Sequence, residues 1–377
     1  MMHILIAPNA FKNSITAQAA AESIREGFEQ SSLNCTTECF PIADGGDGTA
    51  ELIVDKLKGK RISVQVKDPL GRIINTSFGL IDNDQTAVIE MADASGLRLL
   101  KPEELNPLLA TSYGTGQIMK KALDIGVTKI MIAMGGSATV DGGTGILSAL
   151  GISFLDRNRV PLSILPESLT QLEFINLENL DIRIATCEII VLCDVDNKLL
   201  GNQGAAAVFG PQKGAGSDEV KLLDAGLAKL NEVTLKELGK DMASIKYGGT
   251  AGGASAGVYA YLNAKLVNVI EYFMDIARFN EALEKANLVI TGEGSIDEQT
   301  LQGKGPFGVA NRAKIKGIPV IGIAGKILLE PNEKLSQYFK VLLAIGNEPT
   351  DIPTALNRTK GNLTRVAKEI GELISLY

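Results

Sequence analysis

The stretch Lys129-Ile130-Met131-Ile132-Ala133-Met134-Gly135-Gly136-Ser137-Ala138-Thr139-Val140-Asp141-Gly142-Gly143-Thr144-Gly145 decides how this chain is read. An apolar run too short for a helix ends in a glycine-rich loop, and the loop opens a helical pattern, which together spell strand, turn and helix. Short apolar runs recur at His3–Ala7, Ile189–Cys193, Leu288–Thr291, Pro319–Ala324 and Val341–Ile345. Strands apolar on both faces belong to a parallel sheet covered by helices on each side. A helix is predicted over Thr16–Gln30, because Thr16 can cap it and Ala19, Ala20, Ile24 and Phe28 repeat at helical spacing. A terminal helix is predicted over Leu356–Leu376.

The region Arg61–Glu90 breaks this rhythm. Ile62, Val64 and Val66 alternate with polar residues, and Asp68-Pro69-Leu70-Gly71-Arg72 reads as a turn, so a hairpin is expected. The chain of 377 residues is long for one hydrophobic core. The expected fold is therefore α/β in two domains. A Rossmann- or flavodoxin-like parallel sheet is formed by both chain ends, residues 1–60 and 285–377, and a mixed α/β domain, residues 61–284, is inserted between them. No repeat of fixed period is present, although D-G-G-x-G occurs at Asp44–Gly48 and again at Asp141–Gly145.

With 45% hydrophobic and 21% charged residues the composition is that of a folded globular protein. A net charge of −7 opposes binding to nucleic acid, and the one dense basic run, Lys56, Lys58, Lys60 and Arg61, reads as a solvated face. Met1-Met2-His3-Ile4-Leu5-Ile6 lacks a basic leader and reads as a first buried strand. No window approaches the roughly 18 apolar residues of a membrane span, so a soluble cytoplasmic protein without membrane partners is expected. Cys35, Cys39, Cys187 and Cys193 lack zinc-site spacing and read as free thiols in a reducing compartment. The single histidine, His3, leaves no Ser-His-Asp or Cys-His machinery, so acid–base work falls to carboxylates and lysines.

The Gly135–Gly145 loop suits phosphate or carboxylate, since glycines admit a ligand to the backbone and a helix start offers N–H donors. There is no G-x-x-x-x-G-K-[ST], and Gly292-Glu293-Gly294-Ser295-Ile296-Asp297 lacks the third glycine of a dinucleotide fingerprint. Acidic residues stand at apparent strand ends: Asp44, Asp47, Asp141, Asp194, Asp196, Glu293 and Asp297. The carboxyl ends of parallel strands line the ligand crevice, where such carboxylates suit magnesium held with substrate phosphates. Any one alone reads more readily as a cap or turn former. Lys12, Lys213, Lys304 and Lys326 lie in loops marked by Gly or Pro, as phosphoryl-transfer cations or as plain surface residues.

At these loops the sequence resembles the bacterial glycerate kinases that lack a P-loop, in particular glycerate 2-kinases. The matching segments include Ala7-Pro8-Asn9-Ala10-Phe11-Lys12, Ala43-Asp44-Gly45-Gly46-Asp47-Gly48-Thr49, Glu90-Met91-Ala92, Thr111-Ser112-Tyr113-Gly114-Thr115-Gly116 and Gly135-Gly136-Ser137-Ala138-Thr139. They continue with Cys193-Asp194-Val195, Phe209-Gly210-Pro211-Gln212-Lys213-Gly214 and Ile290-Thr291-Gly292-Glu293-Gly294-Ser295-Ile296-Asp297, then Gly303-Lys304. Where the family usually reads Ala-Pro-Asp-Ser-Phe-Lys-Gly-Ser, this chain has Asn9, Ala10 and Asn13, so a carboxylate at position 9 is not essential here. Asp196-Asn197-Lys198 replace the usual Thr-Asn-Pro.

The resemblance implies transfer of the γ-phosphoryl group from ATP to a hydroxyl of D-glycerate, with Mg2+, and favours 2-phosphoglycerate over 3-phosphoglycerate. On that footing Asp194 is the expected base, with Asp297 as the runner-up, and Lys12 joins them in the catalytic set. Asp44, Glu293 and Lys304 are expected to bind glycerate, Asp44 or Glu293 alternatively holding hydrated magnesium. The backbone of Gly135, Gly136, Ser137, Ala138 and Thr139 is expected to receive nucleotide phosphates. Two other classes stay open: a non-catalytic regulator that binds a small acid, and an NAD-dependent oxidoreductase. Homo-oligomerisation stays open as well.

Overall fold

The computed structural model describes residues 1–163 and 165–376. Its strands in chain order are β1 Met2–Ile6, β2 Cys35–Cys39, β3 Lys60–Lys67, β4 Ile73–Ile81, β5 Thr86–Glu90, β6 Lys129–Ala133, β7 Ser153–Leu155, β8 Phe174–Asn176, β9 Glu188–Cys193, β10 Lys265–Asn268, β11 Leu288–Ile296, β12 Val320–Ile327 and β13 Val341–Ala344. The chain divides into two compact units, one of Met1–Asp44 with the chain from Ile270 onward, the other of Gly45–Val269.

These divisions fall about 15 residues before the expected ones, and packing explains both. The Thr49–Lys56 helix joins the second unit: Glu90 accepts the Ala50 N–H at 2.8 Å, and Val54 fills the space a side chain on Gly79 would occupy. Phe273 and Phe279 join the first unit, meeting Phe40 edge to face at centroid distances of 6.2 and 5.0 Å.

In the first unit the sheet order is β13-β12-β11-β1-β2 and every pairing is parallel. Taken in order of occurrence within the unit this is 2-1-3-4-5, the flavodoxin-like winding, so the fold is the α/β arrangement expected from both chain ends. Ile4, Leu5 and Ile6 are completely buried because helices cover the sheet, which is why β1 reads as an unbroken apolar run. The Ala17–Glu29 helix forms as predicted, with the Thr16 hydroxyl accepting the Ala19 N–H at 3.2 Å. Its Ala20, Ala21, Ile24 and Phe28 share a core with Leu363, Val366, Ala367 and Ile370 of the terminal helix. The chain end departs from the single helix expected there. A first helix, Ile352–Asn357, is capped by the Asp351 carboxylate on Thr354 N–H, and a second, Thr359–Ser375, follows after Arg358.

The second unit holds a mixed sheet in the order β10-β9-β6-β5-β4-β3. From β5 to β10 the pairings are parallel; β3, β4 and β5 pair antiparallel. The predicted turn joins β3 to β4, with Asp68 Oδ1 accepting the N–H groups of Leu70 and Arg72 at 2.9 Å each. Ile89, Ile130, Ile132 and Val191 of the sheet pack with Leu223, Leu227 and Leu230 of the Ser217–Leu238 helix. β7 and β8 form a separate antiparallel pair.

The four cysteines are free, Cys187 and Cys193 buried and Cys35 and Cys39 half-buried on β2. Among the described residues no helix is long and apolar enough to cross a membrane.

Candidate active site

In the second unit β6 runs into the loop 135–139. A Cβ on Gly135 would lie 1.8 Å from the Gly45 carbonyl oxygen, and one on Gly136, where φ is +68°, would lie 2.2 Å from Asp47 Oδ1. Both positions therefore demand glycine. Leu97 N–H donates to the Gly136 carbonyl at 2.9 Å and Ala138 N–H to the Ser95 carbonyl at 2.8 Å. The Ala138 amide, expected to meet phosphate, is thus already committed to the backbone.

The start of the Thr144–Ala149 helix is committed too. Asp141, fully buried, accepts the N–H groups of Gly143 (3.0 Å) and Gly145 (3.2 Å), together with the N–H and hydroxyl of Ser112 at 2.9 and 2.7 Å. Its carboxylate occupies the place at which a ligand anion was expected. The amides of Gly135, Gly136, Ser137 and Thr139 make no hydrogen bond among the described residues, so of the five expected to meet phosphate only that of Ala138 is committed, and three of the unbonded ones stand together in the first half of the loop.

Behind this half sits Lys213, only 3% exposed, at the end of the Pro211–Lys213 turn. Its Nζ donates to Ser137 Oγ at 2.9 Å and to the Thr139 carbonyl at 2.7 Å. Burial pulls its pKa down to about 7, opposed by the negative charges of Asp141 and Asp194. Asp194 follows the last residue of β9 and is exposed, with its Cβ only 2.6 Å from where a Cβ on Gly45 would be. A cavity of about 90 Å³ is lined by Gly135, Gly136, Ser137, Asp194, Gln212 and Lys213 among others. The sequence placed Lys213 among four loop lysines that read as phosphoryl-transfer cations or as plain surface residues, without singling it out; its Phe-Gly-Pro-Gln-Lys-Gly context was visible, its burial was not.

The first unit assembles a second set at the point where its strand order reverses, between β1 and β11. Asn9, 3% exposed, donates its N–H to the Gly292 carbonyl at 2.8 Å and its Nδ2 to Asp44 at 2.6 Å. Glu293 accepts the Thr300 hydroxyl at 2.9 Å. Burial pushes its carboxyl above the ordinary glutamate range, Lys304 and the Thr300 bond oppose that rise, and Asp44 and Asp297 add to it. Asp297 Oδ1 caps the Glu298–Gln302 turn through the Gln299 N–H at 2.8 Å. Lys304 precedes the Gly305–Ile315 helix, whose first residue backs onto the Asn9 side chain. Lys12 is exposed, with its amide 3.7 Å from a Cβ built on Gly294.

Asp44, Glu293, Asp297 and Lys304 therefore belong to one set, with the backbone of Lys12 near Gly294 beside it, and Gly135–Thr139 with Asp194 to the other. Asp196 and Lys326 are exposed, Asp196 lying 3.9 Å from Lys246. Among the described residues no group of three or more His, Cys, Asp or Glu is placed to hold a metal.

Doubly wound and mixed sheets with a glycine loop, carboxylates and lysines at strand ends suit an α/β phosphotransferase, and it is kinship that makes the chain a kinase acting on a hydroxyl group. The glycerate kinase family profile matches residues 4–375, and the chain belongs to that family. A glycerate kinase of Halalkalibacterium halodurans is 46% identical over 87% of this chain and 86% of its own length. The glycerate 2-kinase of Escherichia coli K12 is 39% identical over 100% of this chain and 98% of its own. A Salmonella typhimurium LT2 protein with the provisional designation glycerate kinase 2 has a crystal structure that superposes with a TM-score of 0.85 at 39% identity, covering 100% of this chain and 98% of that one.

Proposed function

We propose that this chain transfers the γ-phosphoryl group of ATP to a hydroxyl of glycerate, with 2-phosphoglycerate as the favoured product, in the cytoplasm. The observation that carries this reading is the set at the β1/β11 switch point, where a cation, Lys304, stands with Asp44 and Glu293 beside the buried amide of Asn9. A hydroxy acid needs a cation for its carboxylate and acceptors for its hydroxyls, and this set supplies both. The relative named glycerate 2-kinase, 39% identical along nearly its whole length, supports the choice of O2.

Lys304 and Lys12 bind the glycerate carboxylate, while Asp44 and Glu293 orient its hydroxyls. Asp194, exposed at the end of β9, accepts the proton of the attacking hydroxyl. Asp297 is the weaker base, because one of its oxygens already caps a turn. The free amides of Gly135, Gly136 and Ser137 receive nucleotide phosphates. Magnesium needs only one or two protein carboxylates when phosphates complete its shell. Asp44 or Glu293 would hold that ion, which would neutralise charge on the phosphates.

The test is a coupled ADP-release assay with D-glycerate, ATP and magnesium, followed by enolase with and without phosphoglycerate mutase. Glycerate-dependent ADP release is expected, with enolase turnover in the absence of mutase. Release no faster than the glycerate-free blank, from folded protein, would reject the reading.

A further inference from the structure

Lys213 presents a problem of charge. A lysine 3% exposed should have a carboxylate beside it, yet its polar contacts are two neutral oxygens, Ser137 Oγ and the Thr139 carbonyl. An ammonium carries three N–H donors, so one is left over. Asp141 and Asp194 are the charged groups that act on it, one from the loop after β6 and one from the end of β9, and both act through space. Asp141 is occupied by four hydrogen bonds of its own.

The cavity beside Lys213 is about 90 Å³. At roughly 30 Å³ for each water this is room for about three waters, or one tetrahedral oxyanion. Gly135, Gly136 and Ser137, whose amides are unbonded, line it. Residues with donors on backbone and side chain thus line one small space beside a buried lysine that no carboxylate contacts directly.

We propose that Lys213 is the cation of an oxyanion subsite, in which a group of the phosphate class takes the third N–H of Nζ together with the amides of Gly135, Gly136 and Ser137. Under the phosphotransfer reading, on which its catalytic meaning rests, the occupant is a terminal phosphate of the nucleotide, and Lys213 contacts the reacting group. The lysine cannot be replaced by a surface cation, because its charge is held in place by the loop it binds.

A consequence follows for protons. Burial holds this lysine at a pKa of about 7, and a bound anion must raise it. Anion affinity is therefore level below neutrality, where the lysine is already charged. Above that it falls by about tenfold per pH unit, because each binding event must take up one proton.

The experiment is calorimetric titration of the full chain with sodium sulfate between about pH 6 and pH 8.5 at constant ionic strength, since sulfate itself does not titrate there. The expected result is a decline of more than tenfold across that range, with one proton taken up at the alkaline end. Lys213→Met should bind sulfate at least tenfold more weakly at about pH 6 and lose the pH dependence; Lys213→Arg should recover affinity while staying independent of pH. A wild-type affinity that is flat across the range overturns the proposal, and needs no variant to fold. So does a Lys213→Met protein that titrates as wild type does. If sulfate behaves as expected but glycerate-dependent ADP release is absent, the glycerate reading fails and the subsite stands. Normal turnover with a flat sulfate profile removes Lys213 and leaves the reading intact.

Discussion

Asp141→Asn should destabilise the second unit, by an amount that can be worked from its hydrogen bonds. Oδ1 accepts Gly143 N–H at 3.0 Å, and Oδ2 accepts Ser112 N–H, Ser112 Oγ–H and Gly145 N–H at 2.9, 2.7 and 3.2 Å. Asparagine has the same shape but only one acceptor atom. With its oxygen at the Oδ2 position, three charge-assisted bonds become neutral, each weaker by about 0.5–1 kcal/mol. Its NH₂ then faces the Gly143 N–H, leaving a buried donor unpaired at about 1–3 kcal/mol. The total is about 2.5–6 kcal/mol, which for a unit of this size lowers Tm by roughly 5–24 °C. Thermal unfolding followed by circular dichroism and calorimetry would measure it. Loss of the charge also removes one of the two influences that raise the Lys213 pKa, so the alkaline decline of sulfate binding should begin at lower pH. A fall in Tm of under about 2 °C would show that the four donors do not depend on this carboxylate, and would refute the account of the helix start.

Asp194→Asn, at an exposed strand end, should keep its Tm and, below neutral pH, its affinity for ATP, while kcat falls by about 10²–10⁴-fold; near-wild-type turnover would remove Asp194 from the role of base. Gly45→Ala should cost about 1–3 kcal/mol, because φ is +93° and the new Cβ would sit 2.6 Å from Asp194 Cβ. Its turnover should fall further than its stability, since the displaced residue is the proposed base; parallel Tm and kcat measurements decide this. Glu90 is held by the Ala50 N–H, but burial pushes its carboxyl well above the ordinary range, with Asp93 and Asp47 adding to that rise. A raised carboxyl stabilises fully below its unfolded pKa and loses that contribution as pH rises toward the folded value. Glu90→Gln should therefore raise Tm at mildly alkaline pH and flatten its dependence on pH; an unchanged profile would show that Glu90 is not buried in its neutral form.

Much of the framework was legible because burial on both faces writes itself into composition. β1, β6, β9, β11, β12 and β13 all coincide with apolar runs, and the first helix begins at the threonine that caps it. β2 was not legible: Cys-Thr-Thr-Glu-Cys is a half-buried edge strand without an apolar run, and it forms because β1 offers it a ladder. The boundary at Asp44 was set by which sheet the Thr49–Lys56 helix covers, a matter of packing rather than of linker composition.

The site divides in the same way. The sequence by itself determined the family, the glycine loop and the acidic strand ends, because glycines and carboxylates in loops carry their constraints locally. Only tertiary structure decided which amides remain free for a ligand, that Asp141 closes the helix start, and that Lys213 is buried. Ser137 and Lys213 are 76 positions apart, and the charge of a lysine acquires its chemistry from the water that folding removes around it.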